Sequence, residues 1–314
     1  MSAAAPAGRA ILVASALLVA VLAIAPLIAY PPFVMQALCF ALFACAFNLL
    51  IGYVGLLSLG HAMFFGMGAY VCAHIAKAWG LPAEAALLGG ALVSAALGLL
   101  SGALAIRSVG IYFAMITVAL SQLVYFFCVQ APFTHGEDGI QTVPTVSSIP
   151  GVDLTKPLVL YAYVCAIFLA AFFLVHRTVN SPFGELMKAI RDNEMRATSL
   201  GYRAHQYKLA AFTLSAALAG LAGALKVLVE QNASLSDVDF ATSGGVVLMT
   251  LVGGMGTLFG PIVGALVVMG MQTYLAEYGQ WVIVIQGVVF VAAVLLFRRG
   301  IVGELAHWGG WSSL

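Results

Sequence analysis

Apolar stretches of the length a helix needs to cross a bilayer, about 20 residues, recur along the whole chain. They lie near 10–30, 33–52, 54–76, 83–106, 110–130, 157–175, 208–229, 243–272 and 279–297, with short polar segments between them. Two are punctuated. In 243–272 the run Gly253-Gly254-Met255-Gly256-Thr257, followed by Gly260-Pro261, places turn-favouring residues inside an apolar stretch, which predicts two shorter helices in place of one. From Gly52 to Tyr70, Gly55, Gly60, Gly66 and Gly68 alternate with Ser58 and His61. Broken helices are tolerated in membranes mainly where they line a cavity or pack on protein, so two such segments, one in each half, point to a solute pathway. The competing reading is that these glycines only let helices approach closely, as the spacings Ser94/Gly98/Gly102, Ser215/Ala219/Gly223 and Gly260/Gly264 suggest.

One segment follows a different pattern. Ser181-Pro182 supplies a capping hydroxyl and a first-turn proline, and Gly201 closes the stretch. Between them Phe183, Leu186, Met187 and Ile190 recur at helical spacing on one face. Lys188, Arg191, Asp192 and Arg196 hold the other, with Lys188/Asp192 and Asp192/Arg196 four apart. This predicts an amphipathic helix at a membrane surface, and a helix lying on lipid headgroups fits the pattern as well as a docking element does.

Composition narrows the class. With 63% hydrophobic and 8% charged residues, the chain lacks the polar surface of a soluble fold, where about a quarter of residues are charged; long continuous apolar runs favour helices over barrel strands. The expected fold is an all-α integral membrane protein of nine to ten transmembrane or half-membrane helices, a single domain over 1–314. A formal net charge of +1 leaves no electrostatic footprint for nucleic acid. Position of charge is more telling. Arg177, Lys188, Arg191, Arg196, Arg203 and Lys208 cluster in 176–208, which the excess of Lys and Arg in inner loops assigns to the cytoplasm. Loops 131–156 and 230–242 carry Glu137, Asp138, Asp153, Glu230, Asp237 and Asp239 against Lys156 alone, which suits the outer side. Arg9, Arg107, Arg298 and Arg299 then belong inside, and splitting 243–272 restores the parity. The stretch after Arg9 is long for a signal peptide and is read as a first span.

Candidate chemistry is sparse. Cys39, Cys45, Cys72, Cys128 and Cys165 fall in apolar stretches without metal-ligand spacing and are read as small buried hydrophobes. The chain holds no H-E-x-x-H, G-x-S-x-G or C-x-x-C and no carboxylate pair within one span, so nothing proposes an intramembrane enzyme. An ion-coupled transporter usually needs an acid within the membrane, yet Glu84 lies at a span's edge, and Lys226 and Glu230 are one turn apart near an end. No Gly-Lys dipeptide occurs, so there is no P-loop.

Three runs carry a family resemblance. Ser181-Pro-Phe-Gly-Glu-Leu-Met-Lys-Ala-Ile-Arg-Asp-Asn-Glu-Met-Arg-Ala-Thr-Ser-Leu-Gly-Tyr202, continuing into Tyr207-Lys-Leu-Ala-Ala-Phe and Ala219-Gly-Leu-Ala-Gly-Ala224, resembles LivM-type permeases of branched-chain amino-acid ABC importers. Asn48-Leu-Leu-Ile-Gly-Tyr-Val-Gly-Leu-Leu-Ser-Leu-Gly-His-Ala-Met-Phe-Phe-Gly-Met-Gly-Ala-Tyr70 is similar to the family's first-half signature, and Gly253 to Pro261 to its second-half one. The likeness runs from about 35 to 295. In Thr134-His-Gly-Glu-Asp-Gly139 the chain has His135 where the family usually has Gly or Asn.

The resemblance implies a pore in a bacterial inner membrane, shared with a second, related permease. It also implies two cytoplasmic ATPase subunits that bind ATP and Mg, a periplasmic substrate-binding protein, and no cofactor in this chain. By analogy Ser181, Phe183, Glu185, Met187, Ile190, Arg191 and Glu194 form a coupling helix, apolar residues in an ATPase groove and Arg191 and Glu194 at its rim. Glu137 and Asp138 are candidates for touching the binding protein, or merely solvate a loop. Ser58, His61, Tyr70, Tyr112 and Thr250 are candidate pathway residues; His61 could equally be a packing histidine and Tyr112 an interfacial anchor. Substrates within the family span branched-chain amino acids, urea, short amides and aromatic carboxylates.

Overall fold

The structure is a computed structural model that describes residues 18–22, 24–26, 30–147, 153–275, 279, 281–297 and 300–308. The protein is an all-α membrane protein. Among the described residues five helices are long and apolar enough to cross a bilayer: α1 (Pro31–Ile51), α3 (Ala83–Ala105), α4 (Ile111–Gln130), α5 (Pro157–Val179) and α8 (Ala204–Glu230). Shorter apolar helices complete the bundle: α2 (Ala62–Ala78), α9 (Phe240–Gly253), α10 (Gly260–Tyr274) and α11 (Trp281–Leu296). Helices α6 (Pro182–Asp192) and α7 (Glu194–Ser199) make up the basic segment, and α12 (Gly300–Trp308) packs on α9 and α10. Of the stretch read as a first span, 18–22 and 24–26 are helical; Arg9, Arg298 and Arg299 lie outside the described residues.

The centre of the bundle is α1. It is apolar around its whole circumference, as a helix enclosed by others must be, and packs on α5, α8, α9 and α10. On one side α2, α3 and α8 form a tightly apposed trio built on glycine. A Cβ at Gly223 would stand 1.9 Å from the Phe65 carbonyl oxygen, one at Gly68 2.2 Å from that of Gly220, and one at Gly98 2.4 Å from the Ala216 Cβ. Close approach is therefore what the small-residue spacings in these helices do. The outward faces of α3 and α4 instead carry Leu88, Leu92, Leu100, Leu104, Met115, Leu123 and Phe126, all exposed, the apolar surface that lipid requires.

Both interruptions are real, and they differ. Residues 52–61 are not helical, so the span expected over 54–76 begins only at Ala62. Gly55 takes φ +79°, the left-handed region that glycine enters without steric cost. Residues 254–259 form the expected break between α9 and α10, turning at Gly254, φ +123°. The helix expected from Ser181 to Leu200 is also two. Asn193 leaves the helical region at φ −159°, and its side-chain oxygen accepts from the Arg196 N–H at 2.9 Å. An asparagine that caps the following turn in this way ends the preceding one.

At the opposite end from the basic segment, β1 (Ile140–Gln141) pairs antiparallel with β2 (Asn232–Ala233), joining the two acidic loops. Lys77 Nζ donates to the Gln141 carbonyl at 2.7 Å.

Candidate functional site

Four buried side-chain atoms lack a hydrogen-bond partner among the described residues: Ser58 Oγ, His61 Nδ1, Tyr70 Oη and Ser121 Oγ. Three belong to pathway candidates read from the sequence. His61 closes the non-helical segment and enters a ring of Phe43, Phe47, Phe64 and Phe212, with centroids 5.1 to 6.4 Å away. Its Nε2 lies 3.0 Å from Ser215 Oγ, which in turn donates to the Ala46 carbonyl. A serine hydroxyl has one proton. Since that proton goes to Ala46, Nε2 carries the imidazole hydrogen, and Nδ1 is left as an acceptor facing no donor. A cost of about 1–3 kcal/mol attends each such buried orphan.

The polar seam extends into α4. Thr117 Oγ1 accepts from the Leu59 N–H at 3.2 Å and donates to the Ala114 carbonyl at 2.7 Å, and a Cβ at Gly60 would stand 2.9 Å from the Ser121 Cβ. The first N–H of α2, at Ala62, is met by Ser243 Oγ of α9 at 2.9 Å. The remaining candidates part company with this group. Thr250 is buried but satisfied, donating to the Val246 carbonyl at 2.9 Å. Tyr112 is 69% exposed at the start of α4, an arrangement that suits the anchor reading. Near it, Gly55, Leu56, Leu57 and Leu59 with Gly110, Ile111, Phe113 and Ala114 line an open, mainly apolar recess of 460 Å³.

The two interrupted segments meet. Asn48, one turn before the end of α1, donates from Nδ2 to the Thr257 carbonyl at 2.8 Å and accepts at Oδ1 from the Gly256 N–H at 2.9 Å. Gly52 gives them room, since a Cβ there would stand 2.6 Å from the Gly256 nitrogen. The Gly52 carbonyl, one of those a helix C-terminus leaves unpaired, accepts from Arg191 Nη1. The same guanidinium is held by Asp192 Oδ1, 3.1 Å from Nε and 3.0 Å from Nη2.

Arg191 thus reaches the Gly52 carbonyl through Nη1 while its side chain stays 39% exposed. Met187 and Ile190 are 1% and 2% exposed, Met187 in the main core and Ile190 with Ala197, Ala204, Leu186 and Tyr207 in a small core of the segment itself. Phe183 is half-buried against Tyr207, ring centroids 5.8 Å apart. Glu194 pairs with the buried Lys208 at 2.6 Å, and Glu185 with Lys188 at 2.7 Å, where a Lys188–Asp192 pair had been expected. Ser181 caps α6 as predicted, accepting from the Gly184 N–H at 3.3 Å. Of the apolar face assigned to an ATPase groove, Met187 and Ile190 are covered by this chain's own residues, and Phe183 and Leu186 are partly exposed. The exposed apolar residues are Met195 (83%), Leu200 (72%) and Tyr202 (47%), on and just after α7.

The sequence matches, over residues 32–297, the family described as branched-chain amino acid transport system / permease component. The chain belongs to this family. Among curated relatives, the high-affinity branched-chain amino acid transport system permease protein LivM of Salmonella typhimurium is 29% identical over 277 residues, covering 81% of this chain and 65% of the relative. LivM of Escherichia coli is 28% identical with the same coverage. The autoinducer 2 import system permease protein LsrC of Klebsiella pneumoniae is 31% identical over 144 residues, 43% of this chain and 41% of the relative. The chain thus spans about two-thirds (65%) of the length of the LivM relatives. No solved structure matches.

In this permease the acidic end holds a second polar centre, of which reading the sequence placed only one pair. Lys226 Nζ, in a residue 5% exposed, lies 2.9 Å from Glu230 Oε2, 2.9 Å from Asp237 Oδ1 and 3.3 Å from Asn232 Oδ1. Gln36 Nε2 of α1 donates to Glu230 Oε1 at 2.8 Å. Asp237 completes a capping box with Ser234, accepting from its N–H at 3.1 Å. Beside the cluster Asp138, Gln141, Thr142, Gln231 and Ser236 help to line an open polar recess of 480 Å³. Glu137 and Asp138 are exposed on the turn that leads to it. Asn48 was missed as a site residue although its signal was present: an amide inside an otherwise apolar run.

Proposed function

We propose that the chain is the pore subunit of an ATP-driven importer, passing branched-chain or related small amino acids from a periplasmic binding protein to the cytoplasm of a bacterium by alternating access. It would work in the inner membrane with a second, related permease and two cytoplasmic ATPase subunits that bind ATP and Mg. The observation that carries this reading is the basic segment in a chain of this family. It presents a small apolar surface outward and grips the first interrupted span inward at Gly52, next to the Asn48 amide that holds the second, which is what a subunit without its own P-loop needs in order to be driven from outside.

On this reading the docking surface for the ATPase is Met195, Leu200 and Tyr202, with Glu185 and Arg196 alongside, while Phe183, Met187 and Ile190 brace the segment against the spans. Solute passes along the seam of Ser58, His61, Tyr70 and Ser121. Their orphaned atoms gain partners when the seam opens, and alternating access by rigid-body movement supplies the opening. Glu137 and Asp138 meet the binding protein. Urea, short amides and aromatic carboxylates are the alternative cargoes, selected chiefly by that binding protein. Against an ion-coupled carrier stands the pairing of Asp237, the buried acid among the described residues, with Lys226.

The test is reconstitution in liposomes with the co-expressed subunits, following binding-protein-dependent ATP hydrolysis and uptake of labelled leucine. ATP-dependent uptake that disappears together with ATPase association in Met195→Asp/Leu200→Asp supports the reading. Uptake on an ion gradient with no ATPase bound overturns it.

A further inference from the structure

We infer that Arg191 is a positioning residue that makes the basic segment and both interrupted spans one mechanical unit, so that movement of the segment is delivered at once to 52–61 and to 254–259. The inference rests on the importer reading for its biological meaning, but its geometry does not depend on the cargo.

Three contacts converge within a few residues. The guanidinium donates to the carbonyl of Gly52, where α1 ends and the first interruption begins. A cation suits that position, since a helix C-terminus carries partial negative charge. Its aliphatic stem lies over Gly55: a Cβ there would stand 2.9 Å from Arg191 Cγ, so the left-handed glycine both turns the chain and makes room for the arginine. Behind it, Asn48 holds Gly256 and Thr257 of the second interruption with both ends of its amide, and Arg191 Nη1 would come within 3.9 Å of a Cβ at Gly256.

The orientation of the arginine is fixed from its own helix. Asp192 takes Nε and Nη2, leaving Nη1 to the bundle, a planar fork that an ammonium group cannot reproduce. Met187 and Ile190 anchor the same helix, so Arg191 is carried by a braced element, not by a free loop. Non-helical backbone lacks the internal ladder that would make it stiff. Force applied at α6 and α7 therefore reaches 52–61 and 254–259 through side-chain contacts, and this cluster joins all three.

Two measurements test the inference. In the reconstituted complex, Arg191→Ala is expected to lower the ratio of solute uptake to ATP hydrolysis at least tenfold while the ATPase still co-purifies; Arg107→Ala, an exposed arginine on another loop, is expected to leave the ratio within twofold. An unchanged ratio in Arg191→Ala overturns the inference, whether uptake and hydrolysis fall together or neither falls. Should Arg191→Ala fail to assemble, Arg191→Lys carries the test: a severalfold lower ratio supports the inference and an unaltered one overturns it.

The second measurement needs no cargo. Spin labels at Ala189→Cys on α6 and Met255→Cys occupy exposed positions outside the proposed docking residues, and the five native cysteines are buried. In the purified complex the label-to-label distribution is expected to be narrow with native Arg191 and broader, or shifted by several ångström, with Arg191→Ala. Identical distributions overturn the inference. If the complex with native Arg191 shows no ATP-dependent uptake of any solute, the importer reading fails while the distance result still decides the junction.

Discussion

The two ends of the bundle are held to different degrees. At the acidic end a lysine, two carboxylates and two amides close on one another: Lys226 with Glu230 and Asp237, Asn232 on the ammonium and Gln36 on Glu230. At the basic end one ion pair, Glu194–Lys208, holds the segment to α8, a guanidinium meets a backbone carbonyl, and one amide ties the end of α1 to the 254–259 loop. The first is a compensated ion cluster, 5% exposed at both Lys226 and Asp237, and opening it would strand charge in a poor solvent for charge. The second is made of contacts whose loss costs about a kilocalorie or two each, at a half-exposed side chain that water can reach. A protein built this way is clamped at one end and able to yield at the other. The end that yields is where the basic segment attaches.

The comparison breaks most readily at Lys226. Lys226→Met removes the cation from between the buried Asp237 and the partly buried Glu230, and loss of one partner of a buried ion pair destabilises by about 3–5 kcal/mol. The expected result is a protein that accumulates poorly and melts well below the native chain in detergent. The triple change Lys226→Met/Glu230→Gln/Asp237→Asn should recover most of the loss, because no charge is then left alone. A triple variant as unstable as the single one would mean that packing, not charge, holds this end.

A second test asks whether the glycine-built trio belongs with the clamped end. Gly223→Ala adds a methyl 1.9 Å from a carbonyl oxygen, and the helices must part to admit it. Overpacking of this kind costs about 1–3 kcal/mol, read as a lower melting temperature. Gly244→Ala on α9, where an added Cβ meets nothing within 4 Å, should be neutral or slightly stabilising in the isolated chain, since alanine is the better helix former by about 1 kcal/mol. Equal effects at the two positions would dissolve the distinction.

Much of this arrangement was legible before the structure, for reasons that separate the residues read correctly from those that were not. Lipid forces long apolar runs, so α1, α3, α4, α5 and α8 announce themselves, and Gly-Pro at 260–261 announces the split between α9 and α10. Asn193 did not announce its break, because an asparagine in an amphipathic run is tolerated on the polar face until its side chain finds the Arg196 N–H. At α6 the sequence shows a face but not its partner. A stripe of Phe183, Met187 and Ile190 shows that one side is buried, but not whether the burying partner is another subunit or the same chain. Arg191 looked solvated because its charged neighbours lie at helical spacing, and only the Gly52 carbonyl shows where it goes. The family match confirms what kind of protein this is, yet carries no information on side-chain direction.

Asn48 offers the smallest and most discriminating test. Asn48→Ala leaves the Gly256 N–H and the Thr257 carbonyl without their partner, and the loss for the pair is expected at about 1–3 kcal/mol, the range for buried groups left unsatisfied. Asn48→Asp separates the two bonds, because a carboxylate keeps an acceptor for Gly256 but has no donor for Thr257 when ionised. If the junction is the yielding end, Asn48→Ala should lower stability less than Lys226→Met does, while raising hydrogen exchange locally at 252–259 and leaving 226–239 unchanged. Protection lost equally at both ends would show that the bundle opens as one unit. In that case the difference between an ion cluster and an amide bridge would have no mechanical consequence.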